Sequence, residues 1–172
     1  MLYRRYSQAR KDREVEIDTE EISNAVLPDI IAAILKRVRK LDRSHDIPYM
    51  AGYSVDGGTI YIDRHLPRSF LHDRKHIETD RFLIVHEVIE KSLLDELGLH
   101  YVHAHQIAVR TEQAAVRATG VRWRDYDRFM KSNMKRVGDE RILKVPSDLD
   151  LRPYRDEHDA EVLREIMKRK SK

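Results

Sequence analysis

Cysteine is absent from the 172 residues. That one absence removes disulfides, thiolate nucleophiles, cysteine-type zinc sites and iron–sulfur clusters. No apolar run approaches the roughly 18 residues needed to span a bilayer, and Met1–Tyr6 is not followed by the apolar stretch of a secretory signal. The expectation is a cytoplasmic protein without membrane contact. Charge of one sign is not in excess either, since 33 Lys and Arg face 30 Asp and Glu for a net +3. The two signs interleave, which argues against a dedicated nucleic-acid surface. The basic start (Arg4, Arg5, Arg10, Lys11, Arg13) is offset by Asp12, Glu14 and Glu16, and Arg122-Trp123-Arg124 offers one ring for base stacking.

Histidine is what the chain has. There are nine, several of them crowded between residues 71 and 105. Without cysteine, imidazole and carboxylate must supply any metal ligands.

The length fits one domain. Residues 1–17 read as a charged arm, 18–137 as a core domain, and 138–172 as an extended connection followed by an amphipathic helix over 156–169. Apolar residues at Ile22, Val26, Ile30, Ile34, Val38 and Leu41 repeat at helical spacing, with the firm helix placed from Pro28 to about Asp42. The period then changes. Ile47–Val55 and Thr59–Asp63 read as strands joined by Asp56-Gly57-Gly58, a hairpin turn. A helix is expected over 79–97, stopped by Gly98, and another from Tyr101 to Thr119, stopped by Gly120. The short connection makes them antiparallel neighbours. A further helix spans 122–137, on which Phe129, Met130 and Met134 read as core. The fold class is α+β, mainly helical, with a small antiparallel sheet (the 47–63 hairpin) packed on an antiparallel helical hairpin (79–119).

Chemistry concentrates in Val85-His86-Glu87-Val88-Ile89-Glu90. His86 and Glu90 are four apart and share a helix face with Phe82, Ile89 and Leu93. An imidazole and a carboxylate thus enter the buried side, where unpartnered ions cost several kcal/mol. Pairing outward from a turn near residue 99 sets Glu112 opposite His86. His105 falls opposite Leu93, about six residues or ~9 Å of helix rise from the level of Glu87, near which His86 and Glu90 would share an ion. Glu112 is therefore the expected third ligand and His105 the alternative. One imidazole and two carboxylates suit a divalent ion such as zinc, manganese or iron, with zinc the expected one. Glu87 points roughly 100° away around the helix, where a glutamate can reach metal-bound water as general base.

The pentapeptide His86–Glu90 resembles the His-Glu-x-x-His helix of the zincin metallopeptidases, with glutamate in place of the second histidine. A short sheet precedes the helix, as in that family, and Glu112 follows Glu90 at about the spacing of the third ligand in glutamate-type zincins. The resemblance covers residues 19–119. It implies a zincin-like fold, His86, Glu90 and Glu112 as metal ligands, Glu87 as catalytic base, and hydrolysis of a peptide or protein substrate added as a strand beside Thr59–Asp63. Carboxylate in place of imidazole at position 90 makes zinc less electrophilic. Tyr101, His100 and His103 are the candidates for oxyanion stabilisation.

Other readings use the same residues. His86 can hydrogen-bond Glu112 across the helices with no ion, in a non-catalytic structural or assembly protein of phage type that docks a protein partner through its C-terminal segment. Nucleic-acid binding is the weaker alternative. His72 and His76 read as a solvated face or loop, and His158 as surface.

Overall fold

The computed structural model describes residues 38–138, 140–157 and 160–170. The expected 1–17 arm, the 28–37 part of the first helix and His158 lie outside them. Five short strands come first: β1 (Lys40–Asp42), β2 (Ala51–Tyr53), β3 (Thr59–Ile62), β4 (Ser69–His72) and β5 (Lys75–Glu78). Helices α1 (Asp80–Glu96), α2 (Tyr101–Ala118), α3 (Trp123–Gly138), α4 (Arg152–Asp156) and α5 (Ala160–Lys170) follow. The class is α+β, as the periodicities indicated.

The hairpin forms where Asp56-Gly57-Gly58 placed it. Gly57 takes a φ of 70°, and the Asp56 carboxylate accepts from the Gly58 N–H and the Ser54 hydroxyl. Its first strand is shorter than the 47–55 expectation. Pro48 has no N–H for a ladder, and the chain turns instead, with Met50 N–H bonded to the Ile47 carbonyl.

β3 is the central strand of a mixed sheet ordered β1-β3-β2. It pairs antiparallel with β2 (Gly52 opposite Tyr61) and parallel with β1 (Leu41 opposite Ile60). Two expectations are corrected here. Lys40–Asp42 are strand rather than the end of a helix. The three-residue separation of Val38 and Leu41 is helical, but the open edge of β3 supplied backbone partners and left Leu41 exposed. A substrate strand cannot add beside Thr59–Asp63 as expected, because both edges of β3 are taken.

In the 71–76 segment, expected as a solvated face or loop, His76 is exposed but His72 is not. The segment belongs to a second hairpin, β4–β5, turned by Asp73 and Arg74 at φ 46° and 65°. His72 is buried there, 3.4 Å from Asp125 on α3.

α1 and α2 are antiparallel neighbours, as expected. Ala104, Ala108 and Ala115 are fully buried, which brings the two backbones close. Gly98, at φ 61°, turns the chain between them. Thr79 is at the α1 start but makes no side-chain cap; its hydroxyl donates to the Pro67 and Arg68 carbonyls. Of the expected Phe82–Ile89–Leu93–Leu97 stripe, Phe82 is buried and Ile89 and Leu93 pack half-buried on the core, and only Leu97 departs. Leu97 is exposed and Leu94 buried, and His86, Glu87 and Glu90 lie on the inner side with Phe82.

After α3 the chain runs extended back across the sheet. Leu149 bridges Ser54, and Leu149, Tyr154 and Ile166 bury themselves against Ile47 and Tyr61. No helix among the described residues is long and apolar enough to cross a membrane.

Candidate metal centre

α1 contributes His86, Glu87 and Glu90, and α2 contributes His105 and Glu112. Three ligand atoms converge. His105 Nδ1 is 2.8 Å from Glu90 Oε2 and 3.3 Å from His86 Nε2, and His86 Nε2 is 3.5 Å from Glu90 Oε2. Ligands held tetrahedrally at ~2.0–2.1 Å stand about 3.3 Å apart, so the triangle, now closed by hydrogen bonds, is of a size that could hold an ion. The hydrogen-bond count points the same way. Tyr101 Oη also lies 3.5 Å from His105 Nδ1, so one ring nitrogen faces three polar atoms. A single proton or lone pair serves one of them, whereas an ion gathers several at once.

Glu112 pairs with His86 but does not join the triangle. Its Oε2 meets His86 Nδ1 at 3.0 Å, on the far side of the ring from Glu90 and His105, and its Oε1 accepts from the Tyr126 hydroxyl of α3 at 2.5 Å. The pairing of residue 112 with residue 86 is as expected. The third corner of the triangle is His105, which the Cα-level count set too far away. That count treated each ligand as a point on its helix axis, while an imidazole carries its nitrogens several ångströms outward and met Glu90 rather than the level of Glu87.

Glu90 is fixed from the sheet as well. Tyr53 of β2 donates to its Oε1 at 2.8 Å. Sequence reasoning missed Tyr53 and Tyr126. The available signal was the need of two buried carboxylates for donors beyond histidine. His100 is occupied at the start of α2, where its ring accepts the Val102 N–H. His103 is exposed and packs edge-on to His100.

Burial and charge set the protonation states. Burial opposes the imidazolium of His86, but hydrogen bonds to Glu112 and Glu90 outweigh it and raise its pKa well above the ordinary value. Glu90 is held down at about 2, since bonds from His105, His86 and Tyr53 overcome its burial. Glu87 goes the other way. Burial and then the charge of Glu90 push it up to about 8. It lines the same cavity as the triangle, about 210 Å³ in volume, whose wall also includes Tyr101, Trp123 and Tyr154. His105, at 42% side-chain exposure, is the open corner, while His86 and Glu90 are buried.

Scans against protein-family models, curated proteins and solved structures find no match to the chain.

Proposed function

We propose a metal-dependent hydrolase in which His86 Nε2, Glu90 Oε2 and His105 Nδ1 hold a divalent ion, with zinc favoured. The observation that carries this is the triangle at the wall of a cavity. Two imidazoles and one carboxylate are also a donor set of catalytic zinc sites with an open fourth position. With His105 as ligand, the glutamate at position 90 no longer leaves the ion short of imidazole. Glu112 then acts behind the site. A carboxylate on the second nitrogen of a ligand histidine fixes its tautomer and orientation.

Charge supports the reading. Glu90 and Glu112 bring two carboxylates to the His86 ring, and a divalent cation bound there would take over the compensation that the His86 imidazolium otherwise supplies. When bound, the ion supplies a polarised water. Glu87, on the wall of the same cavity, would take a proton from that water and pass it to the leaving nitrogen. The reaction class is hydrolysis of an amide bond, as in a metallopeptidase of zincin type.

The test is metal analysis of protein purified without chelator, followed by turnover on a quenched-fluorescence peptide library. One zinc per chain is expected, lost in His105→Ala. Glu87→Gln keeps the ion and abolishes turnover. A metal-free protein that cannot be loaded with zinc overturns the reading.

A second reading has its own observation. Tyr53, Glu90, His105, His86, Glu112 and Tyr126 form a hydrogen-bonded chain from β2 through α1 and α2 to α3. Such a chain can serve a non-catalytic structural protein without an ion. His105→Ala and Glu87→Gln that lower stability but change neither metal content nor any turnover would favour it.

A further inference from the structure

Two cavities lie side by side among the described residues. The first holds the triangle on its wall; the second, about 250 Å³, is lined by Ile47, Pro48, Val137, Ile142 and Val162, with Asp46, Asp63, His65, Glu140 and Arg141 also on its wall. Both are mainly apolar. Tyr49, Met50 and Met134 line both and so lie between them, with Met50 buried and Tyr49 and Met134 reaching the surface.

The partition is built against local preference. Tyr49 and Met50 are consecutive non-glycine residues at φ 62° and 74°, a region such residues enter only when their surroundings enforce it. The enforcement is visible. The Tyr49 ring stacks on Tyr154 with centroids 5.3 Å apart, and the Tyr154 hydroxyl donates to the Pro48 carbonyl at 3.3 Å.

Recognition by backbone pairing has little room here. β3 has two partners, and along the outer edge of β2 the Tyr53 carbonyl accepts from Asp150 N–H while the next outward group, Val55 N–H, donates to the Asp148 carbonyl. An apolar cleft is what the site offers a substrate.

We propose that this cleft receives the hydrocarbon chain of an acyl group, and that Tyr49 sets the chain length accepted. Resting on the metal-hydrolase reading, the substrate class is the amide of an apolar carboxylic acid. In the step, water oxygen bonds to the acyl carbon, the C–N bond breaks, and the leaving nitrogen takes a proton from Glu87. A short chain fills the first cavity and stops at the Tyr49–Met50 partition. A longer one needs the second cavity.

Two probe series separate the cleft from the ion. Linear hydroxamates from acetyl to decanoyl chelate zinc, and primary amides of the same lengths do not. Binding to the full chain, with and without added zinc, is read from the fluorescence of Trp123, the single tryptophan, which lines the first cavity. Affinity is expected to rise about fourfold per methylene in both series and then level off. Tyr49→Gly, whose residue suits the positive φ, should move the plateau to longer chains. Affinity that does not depend on chain length in either series overturns the cleft, and an unmoved plateau in Tyr49→Gly overturns the partition. Amides that show the chain-length gain while hydroxamates add nothing with zinc overturn the metal reading and the hydrolysis, and leave the cleft standing.

Discussion

His105 and Glu112 both touch His86, yet they meet opposite nitrogens of its ring, and substitutions should separate them. His105→Ala removes a corner of the triangle and is expected to abolish stoichiometric zinc. Glu112→Gln keeps the shape and weakens only the support of the ring, an expected loss of about 10–100-fold in affinity. Competition with a chromophoric chelator measures both. If Glu112→Gln loses the ion and His105→Ala keeps it, the two roles are exchanged. At this scale the sequence was partly legible. The four-residue spacing of His86 and Glu90 and the level of Glu112 could be read from helix geometry. The choice between Glu112 and His105 depended on side-chain direction, which spacing does not carry. Tyr53 was hidden for another reason, since a strand thirty-odd residues upstream has no periodic relation to a helix.

Elements were legible wherever one period dominated. The helices of the hairpin, the α3 helix and the turn at Asp56-Gly57-Gly58 all follow from pattern and glycine placement. β1 and the β4–β5 hairpin did not. Three- and four-residue strands are too short to show alternation, and the turn at Asp73-Arg74 lacks the glycine that marks such turns. That turn gives a prediction. Arg74, at φ 65°, occupies a conformation that costs a non-glycine residue roughly 1 kcal/mol. Arg74→Gly should therefore raise the melting temperature by about 2–4 °C for a chain of this size, measured by circular dichroism. A fall would mean that the exposed Arg74 side chain makes contacts worth more than the strain.

Across the molecule, a buried ionic group pins the C-terminal segment to the core. Lys91 of α1 lies 3.0 Å from Asp150 and 2.9 Å from Asp95, and Arg152 bonds both carboxylates. Burial disfavours the Asp150 carboxylate, but bonds from Arg152 and Lys91 hold its pKa below the ordinary value. A depressed pKa contributes stability that is full above the unfolded value of about 3.9 and is lost as pH falls toward the folded one. Urea unfolding between about pH 5 and pH 2 should show this loss, and Asp150→Asn should flatten that limb of the curve. An unchanged slope would remove Asp150 from the acid response. Lys91→Ala leaves part of the buried acid without its cation, and about 2–3 kcal/mol of destabilisation is expected, less than a full stranding because Arg152 stays.

The walls of the first cavity come from distant stretches of chain, Tyr49–Tyr53 on one side and Asp150, Pro153 and Tyr154 on the other. During synthesis the His86–Glu90–His105 trio leaves the ribosome well before the segment that roofs it. A nascent chain halted short of Asp150 would already carry the trio with Tyr53, Trp123 and Tyr126 around it, but would lack the wall that Asp150, Pro153 and Tyr154 supply.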